Sequence, residues 1–356
     1  GFLAKLLKKN NIKLDEDTAK IISEKMKSLE GMTNDADKAK VVKEVLEVIN
    51  DMIPLTVSEV FDAYRYQNML SSPRTQQRNV YFNLLQAFLT RPAQMAVETP
   101  IDWIKATLSG KKRERYLKDV PVYYKNALNS FGDGIEGFKE VWRGNVSIEM
   151  MNPDLQKLRM NKLPKTVTVV SRFMEGMDQF LRQMISQGEK AVQLSHGVSE
   201  EKAIAEATRI SKYSLLKGIS GKEEKEAQGA VLKSIDEITQ WIQKGMRTKV
   251  GKYTGMNWFI PFVNTPMKFM KQWIEYSPLG VTTLAGNARK QEQAAKAAMG
   301  SMMTLYGAKL ALDGKTTWSA PTNPEDKKLF YASGRKPYSV QVGDKWVPLM
   351  WFGPFG

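Results

Sequence analysis

A long apolar stripe at helical spacing constrains the fold of this chain more strongly than any other feature of its sequence. The stripe occupies residues 166–196, and its width predicts a helix that is buried against more than one neighbour. It consists of Val170, Phe173, Met174, Met177, Phe180, Leu181, Met184 and Ile185. The same periodicity recurs in the segments 15–29, 39–49, 225–246 and 288–312. The sequence therefore predicts a mainly α-helical protein.

Pairs of a hydroxyl residue and a proline predict where three more helices begin. A hydroxyl group caps free backbone N–H groups, and a proline at the first helical position loses no hydrogen bond. The pairs are Ser72-Pro73, Thr99-Pro100 and Thr265-Pro266. The first of these helices is predicted to end near Pro92 and the second before Gly110, and Ser199 predicts the start of another helix.

The last part of the chain has a different pattern, because polar and apolar residues alternate on both sides of Gly343-Asp344. Alternation around such a pair predicts a β-hairpin. We therefore expect an all-α fold, an elongated multi-helix assembly with a small C-terminal β-hairpin. The predicted domains are an N-terminal helical hairpin over residues 1–54, a basic, aromatic-rich helical region over 55–160, and a helical domain over 161–356 that ends in the β-hairpin.

The chain carries a formal net charge of +15 and has no cysteine. The charge favours nucleic acid, anionic lipid or an acidic protein as a partner, and a solvated basic face is the alternative. The absence of cysteine excludes disulfides and thiolate chemistry. Basic residues interleaved with Tyr116, Tyr123 and Tyr124 are the candidates for contact with DNA or anionic lipid. They are Arg74, Arg78, Lys111, Lys112, Arg113 and Arg115.

The sequence offers little that would support catalysis. The segment from Gly132 to Gly137 matches the pattern G-x-G-x-x-G, but no βαβ unit surrounds it, so we interpret it as a flexible joint. His196 is the only histidine, and its place near a helix end suits contact with free carbonyl groups. We therefore predict no catalytic residue, no cofactor and no metal site, and expect that the chain is not an enzyme.

An aromatic and proline-rich block covers Trp258–Leu279, between two helical regions. Its candidates for packing or subunit contact are Trp258, Phe259, Phe262, Trp273 and Tyr276. Aromatic anchors supply much of the binding energy at protein interfaces, but they also fill ordinary cores. Both interpretations stay open for the rings, and the small-residue helix at 294–312 allows a packed core, a subunit interface or membrane insertion.

An ordered series of short motifs carries a resemblance to a known family. It comprises Ser199-Glu-Glu-Lys-Ala-Ile-Ala-Glu-Ala, Phe259-Ile-Pro-Phe-Val-Asn-Thr-Pro, Glu275-Tyr-Ser-Pro-Leu, Leu305-Tyr-Gly-Ala-Lys-Leu, Asp313-Gly-Lys-Thr, Pro337-Tyr-Ser-Val-Gln-Val-Gly-Asp-Lys-Trp and Phe352-Gly-Pro-Phe. Over about residues 165–356 this series resembles the large internal virion proteins of short-tailed bacteriophages. These ejection or inner-core proteins carry a domain of the large-polyvalent-protein-associated type. Residues 1–160 share only a general style with them.

The resemblance implies a structural role in genome delivery. Such proteins lie in the capsid core and form a conduit across the host envelope after ejection. The implied partners are further copies of the chain, other phage core, portal or ejection proteins, phage double-stranded DNA and the host inner membrane. The implied location is the virion interior, and then the host periplasm or inner membrane.

Two alternatives remain at the level of sequence. One is a membrane-active protein that inserts the helix at 294–312 and the cationic, amphipathic residues 1–9 into the host bilayer. The other is a non-catalytic part of a wall-cleaving polypeptide. We also expect a segment of a longer polypeptide without a signal peptide, because Gly1 is not an initiator residue.

Overall fold

A computed structural model describes residues 16–28, 41, 45, 48, 57–143, 163–216, 228–247, 249–250, 253–254 and 264–349. The chain forms two compact units. One comprises residues 1–65 and 158–165, and the other comprises residues 66–157 and 166–356. The site described below lies in the second unit.

The described part of the chain is dominated by α-helices. They are α1 (Glu16–Ser28), α2 (Val57–Leu70), α3 (Pro73–Leu85), α4 (Arg91–Ser109), α5 (Asp119–Asn129), α6 (Phe131–Arg143), α7 (Lys165–Ser195), α8 (Glu200–Ser214), α9 (Ala230–Arg247), α10 (Asn264–Glu275), α11 (Lys290–Leu312) and α12 (Pro324–Ala332). A π-helical turn, Gln86–Thr90, joins α3 to α4, and a 3-10 helix, Pro278–Thr283, follows α10.

Strands are short and antiparallel in the described residues. β1 (Lys249–Val250) pairs with β2 (Tyr253–Thr254), and β3 (Ser339–Val342) pairs with β4 (Lys345–Pro348). The second pair is the predicted C-terminal hairpin, in which Val340 lies opposite Val347 and the chain turns at Gly343, whose φ is +58°. The predicted all-α class with a small C-terminal β-hairpin is confirmed.

The long helix α7 is the centre of the core, as its apolar stripe predicts. Leu181 and Ile185 are fully buried and Met184 is nearly so. They pack with residues of the π turn, α4, α5 and α8 in one cluster, which contains Ala87, Met95, Tyr123, Ala127, Val192, Ile210 and Leu215. A helix covered on several sides needs a wide apolar stripe, which explains the pattern in the sequence.

The predicted helix end at Pro92 is wrong, because the chain continues from α3 through the π turn into α4. At this turn the N–H of Arg91 donates to the carbonyl of Gln86, five residues back. Pro92 has no N–H, so one carbonyl in the turn before it lacks an amide donor. Tyr123 donates its hydroxyl hydrogen to Ala87 O at 2.8 Å, and Tyr124 donates to Phe88 O. Two side chains of α5 therefore donate to carbonyls in the turn that precedes this proline.

The predicted helix start at Thr99-Pro100 is also wrong, because both residues lie inside α4. Pro100 is exposed, so water can take the place of the missing amide donor. Thr99 uses its hydroxyl to donate to Met95 O at 3.0 Å, within the helix. The local sequence predicts a helix boundary at Thr99-Pro100. The turns of α4 before Thr99 are buried in the core, however, and the helix continues to Ser109.

The other predicted starts fall close to the observed ones. Helix α3 begins at Pro73 and α8 begins at Glu200, but neither Ser72 nor Ser199 makes a side-chain capping bond. Helix α10 begins at Asn264, one residue before Thr265. Residues 1–9 and most of the predicted helix at 39–49 lie outside the described residues.

The glycine-rich segment at 132–137 is not a flexible joint, because it forms the first two turns of α6. Two of its glycines, Gly134 and Gly137, face α7 at very close range. A Cβ on Gly134 would lie 2.7 Å from Phe180 Cδ2, and a Cβ on Gly176 of α7 would lie 2.6 Å from Phe138 Cδ2. The spacing of glycines therefore serves the close approach of two helices, where a side chain would not fit.

Candidate assembly interface

The aromatic residues predicted to make contacts divide into three groups. Trp258, Phe259 and Phe262 lie outside the described residues. Trp273 and Tyr276, on and directly after α10, are described and have opposite environments: Trp273 is 49% exposed, whereas Tyr276 is only 4% exposed. The structure therefore places one of these rings at the surface and the other in the core.

Tyr276 is a packing residue inside its own unit. Its hydroxyl donates to Gln94 Oε1 of α4 at 2.9 Å. Its backbone carbonyl lies so close to Gly300 of α11 that a Cβ there would overlap it. Burial, reinforced by Glu275, raises the pKa of Tyr276 well above its ordinary value, so the hydroxyl remains a donor. The residue thereby joins α10 to α4 and α11.

Trp273 belongs to a small apolar surface on α10. With Pro266, Phe269 and Met270 it lines a shallow groove of about 400 Å³. Phe269 also contacts Phe82 of α3, with ring centroids 5.7 Å apart. A second apolar groove, of about 570 Å³, lies along α3 and α7 and is lined by Pro73, Gln76, Gln77, Val80, Tyr81, Leu84 and Phe173.

The predicted basic residues also fall into two groups. Arg74 and Arg78 are exposed on α3, and Lys111 and Lys112 are exposed in the loop after α4. Arg113 and Arg115 lie in the same loop but are half-buried and engaged within the protein. The structure therefore separates residues that present charge to solvent from residues that hold the loop in place.

The loop after α4 is anchored by two acidic residues of that helix. Asp102 Oδ2 accepts hydrogen bonds from the backbone N–H of Glu114 at 2.7 Å and of Arg115 at 2.9 Å. The Arg115 Nε lies 2.9 Å from Glu98 Oε2, whose side chain is 2% exposed. Arg113 stacks over the Tyr116 ring at 4.9 Å. Arg113 and Arg115 thus have structural contacts that the sequence did not reveal.

His196 follows the end of α7 and contacts an acidic side chain, whereas we expected free carbonyl groups as its partners. Its Nε2 lies 2.9 Å from Asp119 Oδ1 at the start of α5. The other oxygen of Asp119 accepts from the N–H of Tyr116 at 2.9 Å. This pair ties α7 to α5 and to the anchored loop.

A buried ionic cluster is the main feature that sequence reasoning missed. Arg91 binds Glu189 of α7 and lies 3.1 Å from Glu98. Gln94 donates to the same Glu98 oxygen at 2.8 Å and links it to Tyr276. Burial alone would lower the pKa of Arg91, but Glu189 and Glu98 raise it well above its ordinary value. Arg91 therefore stays charged in the core.

The second half of this cluster surrounds Glu292 on α11. Arg209 of α8 lies 2.7 Å from Glu292, and Lys296 lies 2.9 Å from it. Lys296 also lies 3.5 Å from Glu275 and 3.8 Å from the centre of the Tyr213 ring. Burial alone would raise the pKa of Glu292, but Arg209 and Lys296 hold it well below its ordinary value. The cluster thus fixes α8, α10 and α11 together.

A cleft of about 890 Å³ opens onto the two halves of the cluster. Its lining contains equal numbers of acidic and basic side chains, namely Glu98, Glu114, Glu206 and Glu292 with Lys105, Arg115, Arg289 and Lys290. Burial would raise the pKa of Glu206, but its bond to Arg209 lowers it. Glu206 and Glu292 are therefore ionised at neutral pH. They form ion pairs with basic side chains and are not suited to donate protons.

The C-terminal segment is exposed over a long stretch. Residues 301–349 are all described, and among them only Thr317, Ser339 and Val340 are buried. Nonetheless this segment is ordered by backbone bonds, since Thr316 pairs with Val340 and Gln341 N donates to Lys315 O at 2.8 Å. Ten of its large apolar residues are exposed. Exposed apolar surface of this extent is typical of an interaction site.

Comparison with known proteins gives no relative: no protein-family profile, no curated protein and no solved structure shows significant similarity to the chain. Where the structure describes the chain, none of its helices combines the length and the hydropathy that crossing a bilayer requires. Within the same ranges, no three His, Cys, Asp or Glu side chains come together as metal ligands would.

Proposed function

We propose that the chain is a structural segment of a phage internal virion protein, which forms an oligomer in the capsid core and helps to deliver the genome across the host envelope. The ordered motifs in residues 165–356 motivate the family. The proposed partners are further copies of the chain and other core, portal or ejection proteins. The proposed locations are the virion interior and, after ejection, the host periplasm or inner membrane.

One observation carries the structural part of this proposal. Over residues 301–349 the chain holds large apolar side chains outside any core, with Leu312 89% exposed and Trp318 75% exposed. Water-exposed apolar surface of this extent is costly for a monomer and becomes favourable once a protein partner covers it. The groove beside Trp273 gives the same unit a second apolar surface. A subunit of a larger assembly needs contact surfaces of this kind.

A secondary contact with DNA is supported by exposed positive charge. Lys111 and Lys112 extend from a loop that Asp102 anchors, so their charges are presented at a fixed place. Arg74 and Arg78 add charge on α3. Non-specific binding to DNA needs positive charges near phosphates and little else. A protein packed beside a genome would have such a surface.

The proposal is tested in particles of the phage that encodes the chain. Purified particles are analysed by quantitative mass spectrometry before ejection, and the empty particles and the host envelope fraction are analysed after it. We expect several copies per particle and their transfer to the envelope fraction, while the major capsid protein stays with the empty particles. Absence of the chain from purified particles would overturn the proposal.

A further inference from the structure

The helix α4 has its polar and apolar faces in the reverse of the usual order. A helix at the surface of a soluble protein normally buries apolar residues and turns charged residues to water. Four of the seven buried residues of α4 are polar, however, namely Arg91, Gln94, Glu98 and Asp102. At about 100° per residue, these four lie within about 80° of the helix circumference. Their partners are inside the protein, since Arg91 binds Glu189 and Asp102 anchors the loop after the helix.

The exposed face of α4 is apolar over the C-terminal half of the helix. Trp103 is 55% exposed, Ile104 is 51% exposed and Leu108 is 84% exposed. With exposed Pro100 and Thr107 they fall within an arc of about 140°, on the side opposite to the buried polar residues. The structure describes every residue of α4, and none of those in this arc is charged. We refer to these five residues, 100, 103, 104, 107 and 108, as the apolar ridge.

Positive charge lies at the end of the apolar ridge. Helix α4 ends at Ser109, and exposed Lys111 and Lys112 follow shortly after it. The exposed carboxylate of Glu114 lies 3.5 Å from Lys105 Nζ, which offsets its charge. Residues 100–118 contain six basic and two acidic residues, so their net charge is +4. The apolar ridge is therefore accompanied by charge that is complementary to an anionic surface.

We propose that the apolar ridge is a lipid-contact surface, with which the protein binds an anionic bilayer while Lys111 and Lys112 contact lipid phosphates. The other side of α4 is buried in the protein, so only the ridge can enter lipid and the helix lies along the bilayer surface. Interfacial helices combine an apolar side that contains Trp or Leu with nearby lysines, which an anionic leaflet attracts. The inference rests on the proposed location at the host inner membrane and names the surface that makes contact there.

The apolar ridge favours lipid over DNA and over a protein partner. Contact with DNA phosphates needs positive charge and gains nothing from Trp103, Ile104 or Leu108. A protein partner needs a surface that is complementary in shape to one convex helix, whereas a fluid bilayer adapts to the apolar side chains that enter it. Lys111 and Lys112 can contact the phosphates of either DNA or lipid. Substitutions in the ridge therefore separate the two kinds of binding.

The first test measures flotation of the full chain with vesicles of phosphatidylcholine, with and without phosphatidylglycerol. We expect strong binding only to the vesicles that contain phosphatidylglycerol. Trp103→Gln with Leu108→Gln should lower the partition coefficient about tenfold or more and leave the affinity for a DNA duplex unchanged. The matched control, Trp241→Gln with Leu128→Gln, replaces the same residue types at exposed positions of α9 and α5. It should bind vesicles as the unchanged protein does.

The second test locates the contact and uses the absence of cysteine from the chain. Thr107→Cys places a single thiol on the apolar ridge, and Lys202→Cys places one at an exposed position of α8. Each variant is labelled with a fluorophore whose emission depends on the polarity around it. Addition of vesicles with phosphatidylglycerol should shift the emission to the blue for the first variant and leave it unchanged for the second.

Three results would overturn the inference: no flotation of the unchanged protein with phosphatidylglycerol, an equal loss of binding in the ridge variant and its control, or no blue shift from Thr107→Cys. A ridge variant that loses oligomers but keeps lipid binding would also overturn it, because the ridge would then be a protein contact. None of these results bears on whether the chain is present in particles, so a failure here is distinct from a failure of the proposed virion role.

Discussion

A buried hydroxyl can decide whether a proline is tolerated within a helical segment. Tyr123 is fully buried and donates to Ala87 O, a carbonyl in the turn before Pro92, which has no N–H to donate. Burial, with a contribution from Glu189, raises the pKa of Tyr123 well above its ordinary value, which keeps the hydrogen on the hydroxyl. The continuity of α3 and α4 therefore depends on a residue that lies 36 positions further along the chain.

We predict that Tyr123→Phe lowers the free energy of unfolding by about 1–3 kcal/mol, because a buried carbonyl is left unpaired. Urea denaturation followed by circular dichroism measures this change. Tyr306→Phe removes a hydroxyl from a ring that is 58% exposed and serves as the control. In a Pro92→Ala background the amide of residue 92 becomes a donor, so the effect of Tyr123→Phe should shrink. An undiminished effect there would contradict the proposed role of the hydroxyl.

Two glycines of α11 should respond in opposite ways to the same substitution. A Cβ on Gly300 would overlap the carbonyl of Tyr276, whereas Gly307 has open space around it. Gly300→Ala should therefore destabilise the protein by more than 1 kcal/mol, and Gly307→Ala should stabilise it by about 0.5–1 kcal/mol through helix propensity. Thermal unfolding at low protein concentration compares the two variants. Equal effects would show that α11 and Tyr276 are not closely packed.

At the scale of elements, the sequence predicted correctly those helices and strands whose formation depends on residues close together in the chain. The C-terminal hairpin followed from alternation around Gly343-Asp344, and α7 followed from its apolar stripe. The path through Pro92 and Pro100 could not be predicted, because the donors and the burial that permit it come from elsewhere in the fold. The glycines near 132–137 were misread for the same reason. Their meaning depends on Phe180 of another helix.

The ionic cluster around Glu292 should make the packing of α8 and α11 sensitive to acid. The folded-state pKa of Glu292 is held well below its ordinary value of 4.5 by Arg209 and Lys296, against the effect of burial. A carboxyl with a depressed pKa contributes stability above its unfolded pKa. That contribution is lost as the pH falls through the folded pKa.

We predict that Glu292→Gln lowers the free energy of unfolding at pH 7 by on the order of 2 kcal/mol, because two basic side chains lose a charged partner. The difference from the unchanged protein should stay constant down to about pH 5 and shrink below about pH 4.5. Urea titrations across this range measure it. Glu237→Gln, at an exposed position of α9, should show no such difference. A difference that grew on acidification would contradict the assignment.

At the scale of the whole molecule, composition indicated a basic, cysteine-free protein but could not distinguish surface charges from buried ones. Arg113 and Arg115 looked equivalent to Lys111 and Lys112 in sequence. Only the fold shows that Arg115 pairs with Glu98, which comes from the helix before the loop. The exposure of the apolar residues in 301–349 was equally hidden, because an exposed and a buried apolar helix have similar sequences.

The loop after α4 has exposed lysines and half-buried arginines, so substitutions in it should affect DNA binding and the free energy of unfolding separately. Lys111→Ser with Lys112→Ser should weaken binding to a fluorescent DNA duplex and leave unfolding unchanged, because both side chains are exposed. Each phosphate contact that is lost reduces the slope of log affinity against log salt by about 0.9, so the double variant should lose up to about 2. Fluorescence anisotropy measures this slope at salt concentrations from about 50 to about 200 mM, over which affinity for DNA falls steeply.

Arg115→Ser should behave in the opposite way. It leaves the buried carboxylate of Glu98 with one fewer partner, so it should lower the free energy of unfolding. The salt slope of DNA binding should stay nearly unchanged. Lys125→Ser with Lys202→Ser removes the same amount of exposed charge from other helices and corrects for the effect of net charge. If the loop lysines and these control lysines change the slope equally, the basic surface acts only through total charge. A larger effect at Lys111 and Lys112 would instead place a phosphate contact at the anchored loop.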